Sequence, residues 1–266
     1  MSHPQIAAFA RLAKENTPPM RALEGQKTLL TRTVHGFKYD EMHDEIVVPS
    51  PLTQAILVFK GDAHGEEPPI RVIQGPQTQI IGTGPSGNDK LSLDEVNGEY
   101  YLPILDGVLV FDRTANGNVP PKRILKGPET GILGIAAVEP DPVHNRLVIK
   151  GERNSLLIFD RTASGNAKPL SVIQGPQVRI AGLPHQHRIY SPKGWIVVGI
   201  NGGALGVWSI DDKGDVPPRW KIPVRQLVGK GEGASSIALD PVHKELLCSS
   251  GSGNRLITFY FPELFE

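Results

Sequence analysis

The stretch "VLVFDRTANGNVPPKRILKGPET", residues 108–130, returns as "LLIFDRTASGNAKPLSVIQGPQV" at 156–178 and as "ILVFKGDAHGEEPPIRVIQGPQT" at 56–78. Looser copies read "LGVWSIDDKGDVPPRWKIPV" at 205–224 and "IAAFARLAKENTPPMRALEGQKT" at 6–28. Together with "RLITFYFPELFE" at 255–266 they align six aromatic anchors: Phe9, Phe59, Phe111, Phe159, Trp208 and Phe259, spaced 48 to 52 residues apart. A fixed period of that length marks a repeated supersecondary unit.

Working outward from the anchor, each unit reads as four short strands. A first strand such as "SSIAL" meets the turn "DPVHK", and a second strand, "ELLCS", follows. The third strand comes after a Gly- or Asn-bearing loop and ends on the aromatic; a turn such as "DRTASGNAKP" leads to the fourth, "LSVIQG". β-Branched and aromatic residues fill the runs, and Gly, Asn and Pro stand where turns need unusual backbone angles. Four antiparallel strands about every 50 residues make a β-propeller blade. A β-sandwich would not require near-identical units.

The expected fold is therefore all-β, a single propeller over residues 1–266 with five blades at 30–77, 78–129, 130–177, 178–226 and 227–266. The last unit stops at its third strand, so the segment "PMRALEG" at 19–25 is expected to supply its fourth and close the ring. "PQIAAFARLAKEN" resembles a third strand but is rich in good helix formers, and it reads as a short helix. A six-bladed ring with an incomplete blade is the alternative.

Composition narrows the function classes. Lys plus Arg and Asp plus Glu both count 28, so no basic excess draws a nucleic acid backbone. The 29 Gly and 24 Pro suit many turns between short strands. No apolar run reaches membrane-spanning length, and the N-terminus lacks the basic-then-apolar order of a signal peptide. Cys248, the single cysteine, sits in an apolar strand-like run and reads as a buried, inert thiol.

"SSIALDPVHKELL" and "GIAAVEPDPVHNRLVI" resemble the "GIAVDP" pattern of bacterial NHL-repeat and gluconolactonase-like propellers, and the likeness extends over nearly the whole chain. The resemblance implies the fold and a binding mouth around the central channel; it implies no particular reaction, because propellers host many. The gluconolactonase-like enzymes hold a divalent metal with carboxylate and Asn ligands. Only Asp89, with Asn88 or Asn201 beside it, matches that set.

Aligning the first strands on their turns places His35, Asp89 and His185 at equivalent positions, with Leu133 and Ser235 in the other two blades. Gly25 and Gly175 precede the two histidines by the same interval. His187 is expected to turn toward a neighbouring sheet instead. Two imidazoles and a carboxylate at one mouth suit a divalent metal, or general acid and base groups, or hydrogen bonds to neighbouring blades. Lys150 and Arg153, with Glu152, lie in the loop "VIKGERNSLL", where a cation grips an anion or is merely solvated. His43, His144 and His243 share one turn position and read as turn residues. "GINGGALG" at 199–206 bridges two strands and is no phosphate cradle. GxSxG, HExxH, CxxC and Walker-type signatures are absent. Three functions remain open: binding of a small molecule or partner at the channel mouth, metal-assisted hydrolysis or lactonase chemistry there, and a protein-interaction scaffold.

Overall fold

The computed structural model describes residues 5–32, 34, 36–81, 90–134, 137–151, 154–181, 186–228, 236–250 and 255–266. The fold class is that of a five-bladed β-propeller, and the alternative count of six is set aside. Among the described residues there are 21 strands, short 3-10 turns and one α-helical turn, α1 (Val224–Val228). None of the helices is long and apolar enough to cross a membrane.

The chain divides into two compact units, Met1–Ile104 with Leu109–Arg123, and Leu105–Val108 with Ile124–Glu266. The first contains β1 (Gln5–Ala8), β2 (Arg21–Glu24), β3 (Lys38–Asp40), β4 (Glu45–Ser50), β5 (Ala55–Lys60), β6 (Arg71–Gln74), β7 (Ser92–Asp94) and β8 (Glu99–Ile104). β9 (Gly107–Asp112) and β10 (Arg123–Lys126) follow at the boundary. The second unit continues with β11 (Ala137–Asp141), β12 (Arg146–Gly151), β13 (Ser155–Asp160), β14 (Ser171–Ile173), β15 (Arg188–Tyr190), β16 (Trp195–Ile200), β17 (Ala204–Ser209) and β18 (Trp220–Ile222). It ends with β19 (Ser236–Asp240), β20 (Glu245–Ser250) and β21 (Arg255–Tyr260).

Four sheets are complete: β3-β4-β5-β6, β7-β8-β9-β10, β11-β12-β13-β14 and β15-β16-β17-β18. The fifth, β19-β20-β21, has three strands, and β1 pairs with β2 in a two-stranded sheet. Second and third strands such as "EIVVPS" and "SLLIFD" are buried on both faces, which is why they read as continuous apolar runs rather than alternating ones. The anchors Phe59, Phe111, Phe159 and Trp208 are fully buried. Trp208 packs with Val148, Ile158 and Ile173 of the preceding blade and with Ile196 of its own, and its indole N–H donates to Val216 O at 3.1 Å.

The terminal repeats differ. Phe9 is 53% exposed and Phe259 is only partly buried. An anchor needs a sheet on either side, and these two belong to repeats that lack some of their strands. The expected N-terminal helix is absent: Gln5–Ala8 is a strand, with Ile6 opposite Leu23 as Ile56 stands opposite Ile73. Helix propensity, a few tenths of a kcal/mol per residue, loses to a backbone ladder and to the packing of Ile6 against the core around Leu23 and Phe59. The strand expected within 19–25 is present as β2, but its partner is β1 rather than β21. Closing a short hairpin costs much less chain entropy than joining the two ends of the chain.

Consecutive repeats are clasped by their most repeated polar residues. Within the first unit, Gly117 N–H donates to Val72 O at 2.7 Å, and Asn118 Oδ1 accepts the Gln77 N–H at 2.8 Å. Within the second, Gly165 N–H donates to Ile124 O at 2.7 Å, and Asn166 Oδ1 accepts the Glu129 N–H at 2.7 Å. Gly214 and Asp215 do the same for Val172 and Gln177. The asparagine side chain fills the space that a Cβ on Gly75 or Gly127 would need, and both glycines adopt positive φ, 126° and 144°. The "GN…GPQ" wording of the repeat is thus a docking joint between neighbouring blades.

Candidate functional site

The first strands stand side by side within each unit, β3 beside β7 and β11 beside β15 beside β19. Their entry loops and the loops between second and third strands carry the residues singled out by the sequence. His35, Asp89, His185 and Arg153 lie outside the described residues, as do Asn88, Glu152 and Ser235. Lys150, Asn201, Leu133 and His187 are described.

Lys150 lies in β12, opposite Ala137 and Leu156, and is 7% exposed. At the same register its sisters are Pro49, Pro103, Gly199 and Ser249, so the cation is particular to this blade. Asn201 is exposed; its N–H donates to Arg179 O at 2.9 Å, tying the loop that enters the fourth blade to the end of β16. Leu133 is 45% exposed. His187 is buried, and its Nε2 bonds to Val148 O of the preceding blade at 3.1 Å. It therefore turns toward a neighbouring sheet, as expected, and holds two blades together.

The sequence reading missed a charge pair on the first strands. Glu139 of β11 and Arg188 of β15 stand at the register filled by Lys38 in β3, Ser92 in β7 and Ala238 in β19, and Arg188 Nη1 is 3.7 Å from Glu139 Oε1. Arg188 also donates to His187 O at 2.9 Å and to Gln186 Oε1 at 2.8 Å. The detectable signal was opposite charge at one register of the successive first strands β11 and β15, visible only once the first strands are aligned residue by residue. In the first unit, hydroxyls cluster at the end of β4: Thr53 donates to Ser50 Oγ at 2.7 Å, and Thr31 Oγ1 lies 3.1 Å from the same atom.

The recurring histidines are turn residues, as expected. His43, His144 and His243 each place Nδ1 2.7–2.8 Å from the carboxylate of Asp40, Asp141 or Asp240. Those aspartates also accept the same histidines' backbone N–H groups. Asn97 makes both contacts to Asp94 in the second blade, so the position calls for a donor rather than for an imidazole. Asp240, His243 and Glu245 bring three ligand-type atoms within 4.8 Å of one another, yet His243 already directs Nδ1 at Asp240. The cluster repeats a turn and carries no metal assignment.

Two buried ion networks lie in the first unit. Arg71 donates to both Glu45 oxygens at 2.9 and 2.6 Å, and Arg113 adds a third bond at 3.1 Å. Arg123 grips Glu99 at 2.6 and 2.7 Å; Tyr101 OH donates to it at 2.7 Å and Lys122 approaches to 2.9 Å. Burial alone would push the Glu99 carboxyl up, but Arg123, Tyr101 and Lys122 together bring it down to about 2. Burial raises the Cys248 thiol to about 12, which leaves it inert.

These features define a β-propeller whose repeated polar residues are engaged in structure. No protein-family profile matches the chain, and no curated protein matches it. Among solved structures, a chain in "Crystal Structure of Mitotic Checkpoint Complex" is similar, with a TM-score of 0.58 and 14% identity. The match covers 90% of this chain and 64% of that one. At that identity the likeness shows the fold alone.

Proposed function

We propose that this protein is a binding propeller that engages a small molecule or a protein partner through the loops entering its first strands and those joining second to third strands. The observation that carries the reading is the division between repeated and unrepeated polar residues. The repeated Asn, Asp, His and Gly close turns and clasp blades, whereas Lys150, Glu139 and Arg188 break the repeat on or beside the first strands. His35, Asp89, His185, Arg153 and Asn201 are assigned to the same face by the alignment of the repeats, and they supply its ligand contacts. Membership of a multi-protein complex, as in the similar structure, supports a protein partner. The likeness to NHL-repeat and gluconolactonase-like propellers supports this face as the working one, and makes metal-assisted hydrolysis at His35, Asp89 and His185 the rival reading.

Metal analysis and affinity capture on the full chain separate the two. The binding reading expects partners or ligands retained by the wild type and lost by His185→Ala combined with Arg153→Ala, with the melting temperature unchanged. Stoichiometric divalent metal that disappears in His185→Ala favours the hydrolase. Capture unaffected by the double substitution refutes this face as the binding surface.

A further inference from the structure

β21 is the outer strand of a three-stranded sheet, and among the described residues no strand pairs with its outer edge. In each complete blade the same edge of the third strand is covered. Val58 O, Val110 O, Ile158 O and Val207 O accept the N–H groups of Ile70, Lys122, Leu170 and Arg219 at 2.7–2.8 Å, where the fourth strand begins. Thr258 holds that register in β21, opposite Leu247 as Val58 is opposite Val47. Its N–H and C=O, and by the two-residue period of a strand those of Leu256 and Tyr260, are therefore aimed outward. Past Phe261 the chain does not return along this edge. Leu264 and Phe265 are buried against Val197 and Ile222 of the fourth blade, with the Phe265 ring 5.1 Å from that of Tyr190.

β21 also lacks the features that keep a sheet edge solitary. The outer edges of the complete blades, β6, β10, β14 and β18, stop after three or four residues. β21 runs for six, contains no proline, and has Arg255 as its one charged residue. A long apolar edge of that kind is a template for a further strand. Whereas β5, β9 and β13 are buried along all but their final residue, in β21 Leu256 is 67% and Tyr260 70% exposed. These two side chains stand two residues to either side of Thr258, which makes the strand complementary to itself. Laid antiparallel to its own copy about Thr258, it sets Leu256 of each chain opposite Tyr260 of the other, and the two threonines side by side. Apolar pairs that include an aromatic ring, and Thr–Thr pairs, stabilise neighbouring strands when they meet in this way.

We propose that β21 is the contact strand of a homodimer: a second copy of this chain adds its own β21 antiparallel, and the two three-stranded sheets become one continuous sheet. The same patch serves both copies and the two-fold axis passes through the threonine pair, so the contact is isologous and the assembly closes as a dimer. Main-chain bonds join Thr258 to Thr258 of the second copy and Leu256 to Tyr260 of the second copy, while the Leu–Tyr pairs fix the register. A single strand edge buries less surface than a standard protein interface, so the dimer is a weak and reversible one. This surface is separate from the loops that enter the first strands, and the inference does not depend on them.

Sedimentation equilibrium of the full chain, from about 1 μM to about 1 mM, reads the association. A monomer–dimer equilibrium with no larger species is expected. Leu256→Lys and Tyr260→Glu, both at exposed positions, should each raise the dissociation constant about tenfold, because the two-fold axis makes every substitution count twice. The double variant sets lysine opposite glutamate in both cross-strand pairs and should return to wild-type association. Unspecific apolar sticking predicts the reverse order, with the double variant the weakest. Thr258→Pro removes the outward N–H while sparing the ladder to β20, and should give a monomer with unchanged circular dichroism. If that variant does not fold, the charge exchange decides alone. A wild-type chain that stays monomeric throughout the range overturns the proposal. So does association indifferent to the charge exchange, or a double variant weaker than either single one.

Discussion

Glu99→Gln tests the ion networks by their dependence on pH. Glu99 is 3% exposed, and Arg123, Tyr101 and Lys122 converge on it. Its carboxyl falls from an ordinary 4.5 to about 2. At about 1.4 kcal/mol per pH unit, that shift contributes about 3 kcal/mol to the folded state. Because the folded value is depressed, the contribution is complete above pH 4.5 and disappears as the pH falls toward 2. Replacing the carboxylate by an amide removes it at every pH and leaves Arg123 in a part-buried site without its counter-charge. Urea unfolding of wild type and variant at pH 7, 5, 4, 3 and 2.5 should therefore give a difference of about 3 kcal/mol at neutrality, narrowing steadily below pH 4.5. Using the difference between the two proteins cancels the acid response of Glu45 and the other carboxylates. A gap that stays constant from pH 7 to 2.5 would show that Glu99 acts through packing alone, and the electrostatic argument would be wrong.

Phe111→Ala and Phe159→Ala should each cost about 3–5 kcal/mol in chemical denaturation, the range for truncating a large buried aromatic, and Phe9→Ala much less. Asn166→Ala removes the acceptor for the Glu129 N–H and should destabilise by about 1 kcal/mol, whereas Gly127→Ala, which adds strain at positive φ and collides with Asn166, should cost more. Equal melting temperatures for those two variants would contradict the blade clasp. Cys248 should resist thiol reagents at pH 8 in the native protein and react at once in denaturant; rapid native labelling would mean that the sheet around the central strand β20 opens.

The blade was legible because its information is local and repeated. A continuous apolar run signals a strand buried on both faces, and the anchors Phe59, Phe111, Phe159 and Trp208 keep a constant phase within it. The N-terminal repeat misled because "IAAFARLAKEN" states a helical preference, while the ladder from Ile6 to Leu23 that defeats it involves residues 17 positions apart. The clasp was unreadable for a related reason. "GN" and "GPQ" look like independent turn signals until Asn118 is seen filling the space beside Gly75, a contact between successive repeats that no single-unit reading contains.

The site follows a different logic. Where repeats carry the architecture, a residue that matches its sisters is accounted for by the architecture, and one that departs from them calls for another cause. His43, His144 and His243 were correctly set aside by that test, and Asn97 in the fourth equivalent turn shows why: either side chain satisfies the same aspartate. Lys150, Glu139 and Arg188 fail it, because proline, glycine or serine serves the fold at the lysine's register, and lysine, serine or alanine at the register of the pair. Sequence could rank such positions only after every strand had been placed to the residue, which hydrophobic periodicity alone does not achieve.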